Sequence, residues 1–158
     1  MKGFDFTMRA VLTRVDSASV TIDGKVNGAI GKGFLVLLGV HTEDTEAEAK
    51  KIADKICGLR IFHDEAGKMN VNPIDAGCAE LLIISQFTLF ADCRSRRPGF
   101  TEAARPETAI PLDELVISEC RARGFKVETG IFGAEMLVES VNHGPVTILL
   151  DTASKHGI

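Results

Sequence analysis

The hydrophobic pattern changes period several times along the chain, and each change predicts an element. Met8 to Val15, mainly apolar but interrupted by Arg9, Thr13 and Arg14, predicts a first strand. Ser19-Val20-Thr21-Ile22 and Lys25-Val26-Asn27-Gly28-Ala29-Ile30 flank Asp23-Gly24, a pair that supplies the positive φ of a two-residue hairpin turn. Phe34 to Val40 is apolar without alternation, as in a central strand covered on both faces. Then the period lengthens. Ala49, Ile52, Ala53, Ile56 and Leu59 recur at three- and four-residue spacing behind the capping oxygens of Thr42 to Thr45, so a helix is predicted from Thr45 to about Leu59. Arg60-Ile61-Phe62 reads as a short strand, and residues 63–68 as a turn leading to Met69-Asn70-Val71.

The strongest strand signal opens the stretch Leu81-Leu82-Ile83-Ile84-Ser85-Gln86-Phe87-Thr88-Leu89-Phe90-Ala91-Asp92. Four aliphatic residues predict a strand buried on both faces. Ser85, Gln86 and Thr88 follow, and each buried polar group must find a partner or cost about 1–3 kcal/mol. Two readings stay open: a strand end whose polar groups meet turn backbone, or a set of groups that serves a ligand. Beyond it, Pro98, Gly99 and Pro106 resist regular structure, and residues 94–105 read as a flap.

A second helix is predicted from Pro111, carrying Leu115, Val116 and Cys120 and stopped by Gly124. Phe125 to Thr129 alternates as a strand. Gly130 to Gly133 turns, and Ala134–Val141 and Val146–Asp151 are two strands around Asn142-His143-Gly144-Pro145. The pattern begins at Met8, so residues 1–7 read as an extension, and 152–158 carry nothing to hold them and are expected to fray. The sum is one domain that combines strands with two helices.

Composition narrows the function. At 158 residues, 45% apolar and 25% charged, the chain suffices for one domain with a proper core. No apolar run reaches the roughly 18 residues of a membrane span, and the N-terminus lacks the pattern of a secretory signal, so a cytoplasmic location is expected. Cys57, Cys78, Cys93 and Cys120 are scattered with no CxxC, which gives no support to a metal site or a cofactor. A formal charge of −4 argues against a long nucleic-acid footprint. Arg94, Arg96, Arg97 and Arg105 against Glu102 still make one segment locally positive, as a solvated loop or as a phosphate contact.

Ser85-Gln86-Phe87-Thr88-Leu89 and Asn142-His143-Gly144-Pro145-Val146-Thr147 resemble the two signature motifs of the D-aminoacyl-tRNA deacylases, also called D-tyrosyl-tRNA deacylases. Further stretches resemble that family in the same order. They include Met8-Arg9-Ala10-Val11, residues 31–39, Leu59-Arg60-Ile61-Phe62, Gly67-Lys68-Met69-Asn70, Arg96-Arg97-Pro98 and Val127 to Ala134, and the likeness covers residues 8–151. His143 is a departure, standing where the family commonly has Asp.

The resemblance implies a homodimer of α/β subunits, each a single domain of layered mixed β-sheets packed against two helices, that hydrolyses the ester joining a D-amino acid, or glycine, to the 3′-terminal ribose of tRNA. It implies an oxyanion hole from the backbone amides of Phe87 and Thr88, which requires the strand to stop laddering there. Gln86 and Ser85 then suit the ester or ribose hydroxyls, although a Gln pinning two strands is equally ordinary. Gly144-Pro145 is implied to be a cis peptide inserted into the other subunit's pocket, a wall that excludes L side chains. Phe132 and Met136 are implied to hold the terminal adenine, the alternative being plain core packing. Thr88 as nucleophile lacks a sequence-adjacent base, and the RNA's 2′-hydroxyl is implied to assist water instead. Cys93, expected to be a small buried hydrophobe, is the rival nucleophile, with His63 or His143 as its base.

Overall fold

The computed structural model describes residues 7–153. The expectations for residues 1–6 and 154–158 lie outside the described residues. Just inside those limits, Thr7 and Thr152 are both buried, and the two ends are tied together: Met8 N donates to Thr152 Oγ1 at 2.7 Å and Thr152 N to Met8 O at 3.0 Å.

Strand β1 (Arg9–Ile22) is the spine. It unites the predicted strand at 8–15 with the first arm of the hairpin, because pairing continues on both of its edges. On one edge, β2 (Lys25–Ile30) and β3 (Gly33–Gly39) run antiparallel to it, β2 against Ala18–Ile22 and β3 against Arg9–Val15. On the other edge lies β8 (Leu137–Asp151), which joins the two strands predicted around residues 142–145. Next to β3, the parallel strands β6 (Glu80–Ser85) and β7 (Lys126–Thr129) complete the six-stranded sheet. β4 (Phe62–His63) and β5 (Met69–Val71) form a separate two-stranded ribbon.

Helices α1 (Glu46–Gly58) and α2 (Pro106–Ala122) cover one face of this sheet. Thr45 begins α1 with a capping box completed by Glu48, as the Thr-x-x-Glu spacing requires. Helix α2 starts five residues before the predicted Pro111. Pro106 occupies its first turn, where a missing N–H costs nothing. Pro111 forfeits one interior hydrogen bond, but Ala109, Leu112, Val116 and Cys120 are buried as a continuous stripe, and packing outweighs that loss.

Alternation along β6 sorts its side chains. Leu81 and Ile83 face the helices, whereas Leu82 and Ile84 join Val15, Val20, Ile30 and Leu35 on the opposite face. All four are buried, as an apolar run without polar alternation demands.

Candidate active site

The buried run ends at Ser85, earlier than its apolar and aromatic continuation suggests. Gln86 N still donates to Leu38 O at 2.8 Å, and the chain then turns into a 3-10 helix over Phe87–Phe90. That turn accounts for Leu89 N, which donates to Gln86 O, and for Ala91 N, which donates to Thr88 O. Among the described residues, the N–H groups of Phe87 and Thr88 donate to no backbone carbonyl. Two adjacent amides are thus left without a backbone acceptor at the strand end, with Phe87 and Thr88 exposed.

Close approach fixes this corner to the sheet. A Cβ on Gly39 would lie 3.0 Å from the Phe90 ring and 3.1 Å from Gln86 O, so glycine lets the turn pack on the end of β3 without pushing these neighbours back. Arg9 clamps the other side. Its Nη1 donates to Leu89 O at 3.0 Å, its Nε bridges to Asp151 at 3.0 Å, and its guanidinium sits 4.8 Å from the Phe90 ring centre.

Gln86 Nε2 donates to Thr88 Oγ1 at 2.6 Å. This bond orients the Thr88 hydroxyl, and no carboxylate or imidazole among the described residues is bonded to it to act as a base. Ser85, Gln86 and Phe87 line one cavity of about 250 Å³ together with Ile84, Phe132, Gly133, Ala134, Met136 and Val138. Both aromatic and thioether candidates are therefore brought to the strand end. Each also packs on a core cluster, Phe132 on the helix side and Met136 on the other, so the packing and ligand readings coexist.

Asp113 escaped sequence reasoning. It is buried on α2 and, with Ser85, Ile83, Ile110, Glu114 and Phe132, lines an adjoining cavity of about 160 Å³, where among the described residues neither carboxylate oxygen has a partner at full hydrogen-bond geometry and the Ser85 hydroxyl is a weak neighbour. Burial pushes its pKa up to about 7, with the Ser85 hydroxyl acting against this and the charge of Glu114 adding to it. The available signal was its position: residue 113 falls between Leu112 and Val116, inside the apolar stripe of α2.

The second signature stretch lies elsewhere. Pairing of β1 with β8 skips from Thr13↔Thr147 to Val15↔Asn142, so residues 143–146 bulge from the ladder. The Gly144-Pro145 bond is cis. Asn142 Oδ1 accepts from Val146 N at 3.1 Å, closing the bulge. Arg14, buried on β1, steadies it by donating through Nε to His143 O at 2.9 Å while Nη1 donates to Ile61 O at 2.6 Å. His143 Nδ1 is 3.1 Å from Asp16. Gly144 and Pro145 are exposed and line neither cavity at the 85–88 corner of their own chain.

The Cys93 alternative weakens. The residue is exposed rather than buried, because it follows Asp92 into a hairpin whose residues 93–98 are all exposed, and it is bonded to no histidine among the described residues. Among the described residues, no group of three or more His, Cys, Asp or Glu side chains is arranged to hold a metal ion, and no helix is long and apolar enough to cross a membrane.

Comparison with known proteins agrees with this architecture. The D-Tyr-tRNA(Tyr) deacylase family model matches residues 11–151. A D-aminoacyl-tRNA deacylase from Koribacter versatilis (strain Ellin345) is 55% identical over 146 residues, covering 92% of this chain and 97% of the relative. The enzyme of that name from Thermus aquaticus is 52% identical over 151 residues, covering 95% and 99%. Among solved structures, the c-Myc DNA Unwinding Element Binding Protein superposes with a TM-score of 0.83 at 39% identity, over 90% of this chain and 97% of the other. A probable eukaryotic D-amino acid tRNA deacylase shares the fold, with a TM-score of 0.80 at 16% identity, over 92% and 99%. With its matched segment running from the first strand to the last, the chain belongs to the D-Tyr-tRNA(Tyr) deacylase family, whose members are aminoacyl-tRNA hydrolases.

Proposed function

We propose that this protein deacylates D-aminoacyl-tRNA in the cytoplasm, hydrolysing the ester between a D-amino acid, or glycine, and the 3′-terminal ribose while leaving L-aminoacyl-tRNA intact. The observation that carries this reading is the pair of adjacent amides at Phe87 and Thr88 that donate to no backbone carbonyl among the described residues, at the edge of a cavity lined by Phe87 together with Gln86, Phe132 and Met136.

Water attacks the ester carbonyl carbon, and the carbonyl oxygen gathers negative charge while accepting hydrogen bonds donated by the two N–H groups. Removing one such donor from an oxyanion hole typically costs about 10²–10³ in rate. The C–O bond to the ribose then breaks, the ribose oxygen takes up the proton released by water, and the products are a free amino acid and an uncharged tRNA. Proton transfer is assigned to the ribose 2′-hydroxyl, in keeping with the absence of an imidazole or carboxylate bonded to Thr88. Gln86 and Ser85 hold the ribose and ester in register, and Phe132 and Met136 hold the terminal adenine.

Selectivity is assigned to Gly144 and Pro145 of a second subunit. Lying away from the corner of their own chain, they act in trans across a homodimer, as a wall against the α-carbon that an L side chain would strike. Hydrolysis of D- and L-aminoacyl-tRNA by the wild-type protein and by Cys93→Ala and His143→Ala variants tests the reading. It requires D-selective turnover that survives both substitutions. Turnover lost with Cys93 would make this a cysteine hydrolase, and binding without turnover a non-catalytic RNA-end module.

A further inference from the structure

The Arg-rich segment, expected to be a flap, is closed at its base. Asp92 N donates to Gly99 O at 2.8 Å and Gly99 N to Asp92 O at 2.9 Å, while Ser95 Oγ donates to Arg97 O at 2.8 Å within the hairpin. The chain reaches this hairpin directly from the 87–90 turn and returns through Phe100, whose ring packs edge-on against Phe87 with centroids 5.0 Å apart. The arginines are therefore mounted on the catalytic corner.

They are not equivalent. Arg94 is consumed locally, its Nη2 lying 2.5 Å from Asp92 Oδ2, and this side-chain hydrogen bond holds the Asp92 carboxyl down to about 2. Arg96, Arg97 and Arg105 have no ion-pair partner among the described residues, although Glu102 and Glu107 are near in sequence. Arg105 also lines a cavity of about 490 Å³ walled by Phe87, Phe100 and Phe132. Unpaired guanidinium groups, one of them at an aromatic-walled cavity, are what a single-stranded nucleic acid uses, phosphates on the cations and bases on the rings.

Resting on the deacylase reading, we propose that Arg96, Arg97 and Arg105 form a phosphodiester-binding rail for the single-stranded 3′ end of tRNA, holding the nucleotides that precede the terminal adenosine. In a chain of formal charge −4, such a short rail supplies local attraction without a basic stripe over the whole surface. It also separates two tasks: the corner recognises the ester, and the hairpin, together with Arg105 at the start of α2, recognises only RNA backbone.

Hydrolysis of D-aminoacyl-tRNA and of D-aminoacyl-adenosine, which lacks those phosphates, is measured across 50–200 mM salt for the wild type, Arg96→Gln/Arg97→Gln/Arg105→Gln and the corresponding triple Lys variant. Three phosphate contacts to a single strand contribute a slope of about −2 in log affinity against log salt, or roughly twentyfold over that range. The Gln variant is expected to lose this slope and to raise KM for the tRNA with kcat unchanged. Its action on D-aminoacyl-adenosine stays at the wild-type level, and the Lys variant keeps the slope. A slope unaltered in the Gln variant, or an equal loss on both substrates, overturns the rail while leaving deacylation standing. Wild-type protein that cleaves neither ester overturns deacylation and the rail with it.

Discussion

Strands β6 and β8 each carry one signature stretch, yet they meet solvent in opposite ways. Leu81, Leu82, Ile83 and Ile84 of β6 are at most 3% exposed, lying between β3 and β7 with both faces covered. On β8, Leu137, Val141 and Leu149 are 69%, 54% and 65% exposed, and among the described residues the strand pairs only with β1. The first motif is therefore finished by its own chain: its strand is locked, its turn is clamped by Arg9, and its free amides are few and fixed. The second is held in shape by Arg14 and Asn142 but faces outward. A long apolar edge left open invites another chain, and the proposed two-subunit assembly gives it one.

Cutting into β6 is expected to have the largest effect. Leu81→Ala removes a fully buried side chain from the helix-side core and should lower unfolding free energy by about 2–5 kcal/mol, read from urea denaturation. A loss under about 1 kcal/mol would mean that β6 is not the anchor described.

Asp113 comes next, because it is buried against the end of β6. Its folded pKa is raised above the unfolded value, so the native state binds the proton more tightly. Stability that is present below about pH 4 is therefore lost as pH rises through about 7, up to about 4 kcal/mol at 1.36 kcal/mol per unit. Asp113→Asn should leave unfolding at pH 4 nearly unchanged and stabilise the protein at pH 8. Asp44, which burial also pushes up to about 7, keeps part of the slope in the variant. Equal stability of wild type and variant at pH 8 would show the carboxylate to be solvated in the folded state.

Gly144→Ala probes the other strand. The new Cβ would lie 2.5 Å from Val146 N and 2.7 Å from Val146 Cγ2, at a φ of +155°, so the bulge must shift. Discrimination between D- and L-aminoacyl-tRNA, as a ratio of kcat/KM values, is expected to fall about tenfold, equivalent to roughly 1.4 kcal/mol. An unchanged ratio would remove these residues from selectivity.

The same contrast explains what could be read in advance. Burial leaves a strong trace in sequence, so β3, β6 and α1 were legible from apolar runs and spacing, and the start of α1 from the capping oxygens before it. The end of β6 was less sharply drawn: Ser85, Gln86 and Thr88 allowed a strand end and the resemblance required one, but Phe87, Leu89 and Phe90 look like more strand, and the clamp from Arg9 and the close approach at Gly39 are what make the turn intelligible. Helix α2 was begun too late because Pro111 reads locally as a boundary, whereas its stripe is set by tertiary packing. Asp113 hid within that stripe. The two halves of β8 were visible, but their union depends on β1, more than a hundred residues away, which no local pattern contains.

The smallest effect on the single chain is expected where β8 faces outward. Leu137→Lys with Val141→Lys changes side chains that are already exposed, so the isolated chain should keep its circular dichroism and its intrinsic stability within about 0.5 kcal/mol. Assembly is another matter. If β8 supports the proposed two-fold contact, two added cations per subunit oppose it, and sedimentation should report single chains where the wild type sediments as pairs. Deacylation should fall in step, since each site then lacks the Gly144-Pro145 segment of its partner. Pairs that persist with full activity would require the second signature to be supplied across a different surface. The exposure of β8 would then lose its place in the explanation, although the corner at residues 85–88 would keep its own.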